Sequence, residues 1–129
     1  MSIDLSVGSR LPAFCTSMGR VLLASLPPSE LGDYLKRLRT TPFTERTITT
    51  RSKLQNVIAL TRDAGFAIVD QELEIGLRSI AVPVADGTGR AAAAINISVQ
   101  AQRVPISHME KQFLPALRDA AEELRLLLP

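Results

Sequence analysis

The sequence predicts an α/β fold of the α+β kind, one antiparallel sheet with helices packed on it. Two observations carry this expectation. Two extended stretches, Leu77–Ala85 and residues 90–100, flank Asp86-Gly87-Thr88-Gly89, which has the turn chemistry of a β-hairpin. Around them apolar residues recur at helical spacing, as in Leu31, Tyr34, Leu35 and Leu38, and again in Met109, Phe113, Leu117, Ala120 and Leu124. With 129 residues, 46% hydrophobic and 22% charged, the chain has the size and composition of a single folded domain, residues 1–129.

The elements follow in order. Residues 2–14 read as extended, because Gly8 and Pro12 interrupt any helical period. Thr16-Ser17 supplies an N-cap for a short helix through Val21, Leu22 and Ala24, stopped by Pro27-Pro28. Pro28 suits the first turn of the next helix. Residues 40–50 hold six threonines and Pro42 without any period and read as a loop, which could serve as a lid. Thr50 caps a third helix bearing Leu54, Val57 and Ile58, and Gly65 stands where a C′ glycine belongs. Residues 66–70 form a short strand, and the hairpin follows. Pro105 and Ser107 open the last helix, with Ser107 and Glu110 spaced as a capping box and Pro115 placed to bend it.

The single-copy residues exclude much. One cysteine, Cys15, forms no internal disulfide and suits a reducing cytoplasm, and one histidine with one cysteine furnishes no Cys/His zinc site. A Ser-His-Asp arrangement would have to use His108. No apolar run approaches the ~20 residues of a membrane span, so a membrane partner is not expected. Nine bases and five acids in residues 1–64, against six and eight in residues 65–129, make an asymmetry too weak for a nucleic-acid footprint. Lys36, Arg37 and Arg39 read as a solvated helix end. Neither a metal nor a cofactor is expected.

The hairpin holds the chemistry. A loop centred on Gly87-Thr88 would pair Ser79 with Asn96, Ala81 with Ala94 and Leu77 with Ser98. Alternation then gives one aliphatic face, with Ile95, Ile97 and Val99, and one small and polar face, with Ser79, Asn96 and Ser98 over a floor of alanines. Small side chains leave volume, and hydroxyls with an amide offer donors and acceptors, the makings of a pocket for a small polar ligand. The free N–H groups around Ser17, Met18 and Gly19 favour an anion such as a carboxylate. Asp70, Glu72 and Glu74 form the one dense acidic group; their spacing places them on one solvated edge, with Asp70 the member that turns inward.

Taken together, VGSRLPAFCTSMGRVLLASLPPSEL, TITTRSKL and AGFAIVDQELEIGLRSIAVPVADGTGRAAAAINIS resemble the C-terminal effector-binding domain of IclR-family bacterial transcriptional regulators. DQELE-GLRSIAVPV with TSMGRVLLA is similar to the PcaR/PcaU/PobR branch, whose members respond to aromatic acids and β-ketoadipate-pathway metabolites. The resemblance implies a GAF-like fold that binds a small organic acid on its sheet and passes occupancy to an N-terminal winged helix-turn-helix. It implies pocket positions at Ser17, Met18, Asp70, Ser79, Asn96 and Ser98, with Asn96 where some members carry a hydroxyl. It also implies association into homodimers or homotetramers. Nothing in the chain resembles the winged helix, so DNA binding is expected only through a parent protein.

The expectation is therefore a sensor of a small carboxylic acid, aromatic or a ring-cleavage product, without catalytic residues. Arg10, Arg20 or Arg78 would balance the ligand's charge, and Asp70 would meet a hydroxyl or keto group. Two alternatives stand beside it: a small hydrolase or isomerase using Asp70, Glu72 and His108, and a purely structural oligomerisation module.

Overall fold

The computed structural model describes residues 5–129. Helices α1 (Ser17–Ala24), α2 (Pro28–Arg37) and α3 (Arg51–Ala64) precede strands β1 (Ala67–Asp70), β2 (Leu77–Ala85) and β3 (Ala91–Gln100). A final helical run comprises α4 (Ile106–His108), a π-helical turn (Met109–Phe113) and α5 (Leu114–Arg125). The three strands are antiparallel in the order β1-β2-β3.

The sheet separates two apolar clusters. Ile80 and Val82 of β2 face Met109, Leu114 and Leu117 of the final helical run, joined by Ile68, Ile95 and Ile97. On the other face Val21 of α1 packs on Ala67 and Ala81, with Met18 and Ala94 beside them. Beyond α1, Phe14, Cys15, Leu23, Leu35, Leu54 and Ile58 knit α1, α2 and α3 together.

Local signals account for most boundaries. Thr16 accepts the Gly19 N–H at 3.2 Å and caps α1. Pro28 opens α2, and Gly65 ends α3 in the left-handed region at φ 77°. Thr50 occupies the N-cap of α3, though its side chain makes no capping bond.

Two expectations need correction. The hairpin pairs Ser79 with Ser98, Ala81 with Asn96 and Leu77 with Gln100, two residues from the expected register. The cause is a five-residue loop, stitched by Asp86 Oδ1 accepting from Thr88 N, Thr88 Oγ1 and Arg90 N, and a bulge that leaves Ala92 extra between Val84–Ala93 and Ala85–Ala91. An offset of two keeps every side chain on its expected face. The Ser107–Glu110 capping box does not form, because the helix already begins at Ile106 with extended Pro105 as its N-cap. Pro115 falls at the start of α5, directly after the π-helical turn, the kind of irregularity at which helices bend and a proline's missing donor is tolerated.

Candidate ligand pocket

A cavity of about 780 Å³ opens between the start of α1, the β1–β2 connection and the small, polar face of the hairpin. That volume lies within the range of ~300–1,000 Å³ typical of small-molecule sites. Ser17 and Met18 line it from α1, and Ser79, Asn96 and Ser98 from the sheet. Asn96 Nδ2 donates to Ser98 Oγ at 3.1 Å, so the amide is already oriented. Leu11, Val69, Leu73 and Leu77 supply apolar walls.

Ser17 is the most telling residue. It is 1% exposed, and its Oγ has no hydrogen-bond partner among the described residues. An unmet buried hydroxyl costs roughly 1–3 kcal/mol, yet this one sits in the wall of the cavity. The first N–H groups of a helix have no intrahelical acceptor. Those of Ser17 and Met18 therefore present donors and a positive dipole end at the same place.

Gly19 plays a different part from the one expected. Its N–H is occupied by Thr16, and it lines only an adjoining groove of about 410 Å³ that shares Met18 and Leu11 with the cavity. A Cβ there would fall 2.2 Å from the Ala13 carbonyl oxygen, so glycine is needed to let residues 12–15 run tight against α1.

Asp70 is not brought to the pocket. Alternation along β1 sends Val69 to the cavity and Asp70 to the opposite face, where it accepts from Arg78 Nε at 2.9 Å and Arg46 Nη1 at 3.0 Å. Partial burial pushes its carboxyl up, but hydrogen bonds from Arg78 and Gln71 and the charges of Arg78 and Arg46 outweigh this and hold it below its ordinary value.

The acidic trio does not share a solvated edge. Gln71 adopts φ 61°, a left-handed conformation uncommon for a side-chain-bearing residue, and the strand alternation ends there. Glu72 consequently turns into the interior, 6% exposed, and takes a bidentate bond from Arg20 at 2.7 and 2.6 Å. Arg20 is thus committed to Glu72 and Arg78 to Asp70, while Arg10 is exposed. Among the described residues no Lys, Arg or His lines the cavity.

His108 is exposed and sits edge-on to Phe113 at 5.1 Å, so Asp70, Glu72 and His108 occupy three separate environments. Cys15, which also lines the cavity, has its thiol pushed up to about 11 by burial first and by the Glu72 charge second, against a smaller opposing effect of Arg20. It is a neutral wall residue at physiological pH. Residues 40–50 do not line the cavity; Thr44 Oγ1 donates to the Gln71 carbonyl at 2.7 Å and Ile48 N to Glu72 Oε1 at 3.0 Å. The wall formed by residues 73–76 went unforeseen, since only the left-handed Gln71 and the Gly76 that follows reshape that stretch.

Comparison with known proteins places this geometry. Residues 1–126 match the family model described as bacterial transcriptional regulator IclR C-terminal. The chain is 48% identical over 124 residues to the Pca regulon regulatory protein of Pseudomonas putida, covering 96% of this chain and 43% of that one. It is 35% identical over 124 residues to the p-hydroxybenzoate hydroxylase transcriptional activator of Acinetobacter baylyi, covering 96% and 45%. Among solved structures, a double mutant of the PobR inducer-binding domain from Acinetobacter, in complex with 3-hydroxybenzoic acid, superposes with a TM-score of 0.89 at 35% identity. That match covers 94% of this chain and 69% of that one. Thermotoga maritima IclR gives 0.86 at 32%, covering 99% and 52%. The chain spans less than half the length of the two regulators named first. It belongs to the IclR family of bacterial transcriptional regulators and represents their C-terminal effector-binding domain.

Proposed function

We propose that the cavity binds a small carboxylic acid, aromatic or a product of ring cleavage, and that its occupancy controls DNA binding by a cytoplasmic parent regulator of aromatic-acid catabolism, assembled as a homodimer or homotetramer. The observation that carries this is the buried Ser17 hydroxyl without a partner among the described residues, at a helix start that opens into a mostly apolar cavity with a few polar groups. A carboxylate would take the Ser17 hydroxyl and the Ser17 and Met18 N–H groups, while Ser79, Asn96 and Ser98 contact polar substituents. The helix start, in place of an arginine, offsets the charge. Gly19 lets residues 12–15 pack against α1 and Asp70 pairs with arginines on the other face, which leaves the ligand to these five residues. The domain works by binding alone, without turnover.

A thermal-shift screen with benzoate, 3-hydroxybenzoate, p-hydroxybenzoate and adipate tests the proposal. An acid at ~100 times its Kd adds about 2.7 kcal/mol of stability, and Ser79→Val/Asn96→Leu should abolish the response. A structural oligomerisation module predicts no response to any acid. An equal response in the double variant would move the site elsewhere.

A further inference from the structure

Arg20 and Glu72 lie 52 residues apart in sequence and form a buried ion pair that ties α1 to the β1–β2 connection without lining the cavity itself. Arg20 also donates from Nε to the Phe14 carbonyl at 3.0 Å, so the guanidinium grips the segment leading into α1. Glu72 anchors the β1–β2 connection, whose Leu73, Glu74, Ile75 and Gly76 form the facing wall. The pair therefore spans the two walls between which a ligand would sit. On its outer side Glu72 Oε1 accepts the Ile48 N–H, and the Thr47 hydroxyl donates to the Glu72 carbonyl oxygen.

Stability alone is a poor reason for such a pair. Replacing both partners of a buried ion pair by apolar residues is often neutral or stabilising, because desolvation cancels much of the attraction. What a bidentate fork supplies is fixed distance and angle. We infer that Arg20 and Glu72 are the positioning residues of the acid pocket, setting the gap between the α1 start and the β1–β2 connection, and that Glu72 carries occupancy outward to residues 44–48. This rests on the acid-pocket reading above. A ligand held by both walls favours the arrangement in which the pair is closed, and so also steadies the Ile48 amide, which touches no part of the cavity.

The test pairs hydrogen exchange with binding, using the four acids of the screen. In the wild type, the acid that binds should slow exchange of the Ile48 amide. Arg20→Lys, which keeps the charge and loses the fork, should weaken binding about tenfold, and Arg20→Met/Glu72→Met should fold yet bind more weakly still. A merely structural pair would lower Tm but leave the affinity of the folded protein unchanged, and that result overturns the inference. So does Ile48 exchange that ignores a bound acid, a measurement on the wild type that holds even where the double variant fails to fold. A wild type that binds none of the acids overturns the pocket reading, and this inference with it.

Discussion

The two faces of β2 and β3 are built from alternate residues of the same strands, yet they do opposite things. On one face Ile80, Val82, Ile95 and Ile97 reach the final helical run, and Ile80 and Met109 are 0% exposed. On the other, Ser79, Asn96 and Ser98 are too short to reach a covering helix and leave a cavity of about 780 Å³. Branched chains that meet a helix close the space, whereas two serines and an asparagine beside a helix start leave it open. On the proposed function, stability and ligand binding fall to adjacent residues, and mutations at 79 and 80 should separate them.

Ile80→Ala should have the largest effect on the fold, about 2–5 kcal/mol, read by denaturant unfolding, with the affinity of the remaining folded protein little changed. Ser79→Val should do the reverse, weakening the acid response at least tenfold, about 1.4 kcal/mol, with Tm nearly constant. Comparable losses of stability from both would break the contrast between the faces.

Asp70 belongs to the stabilising face, and its titration sharpens that assignment. Its carboxyl is held below its ordinary value of 3.8, so on acidification the unfolded chain takes up the proton first. The contribution is complete above 3.8 and is lost as pH falls through the lower folded value. Asp70→Asn should flatten that part of the Tm-against-pH curve and leave acid binding near neutral pH in place. On the pocket face, Cys15 with its thiol raised to about 11 should react with iodoacetamide at pH 8 far more slowly than a free cysteine, and more slowly again with an acid bound. The smallest effect is expected of His108→Ala, within about 0.5 kcal/mol of wild type, measured by thermal unfolding together with acid binding.

The faces were legible in the sequence because alternation is a short-range property of any strand, and an error of two in register leaves it intact. The register itself was not, since it depends on how Asp86 folds the loop and on the bulge at Ala92. The start of α1 was readable from Thr16-Ser17, and Ser79, Asn96 and Ser98 from their spacing. Glu72 was misread as a solvated carboxylate because Gln71, a residue with no evident turn preference, takes the left-handed conformation and reverses the pattern. Its partner Arg20 lies 52 residues away, and no local signal joins them. Asp70 failed as a pocket residue for the simplest reason: it follows Val69, and neighbours on a strand face opposite ways.

The central claim is that Ser17 is kept buried and unmet in order to meet an acid. Calorimetric unfolding of Ser17→Ala, with and without the acid that stabilises the wild type, tests it most directly. Removing a hydroxyl that has no partner should leave the ligand-free Tm equal or higher, since the burial cost of roughly 1–3 kcal/mol disappears, while the acid-induced shift is lost. A lower ligand-free Tm with an undiminished acid response would contradict the account.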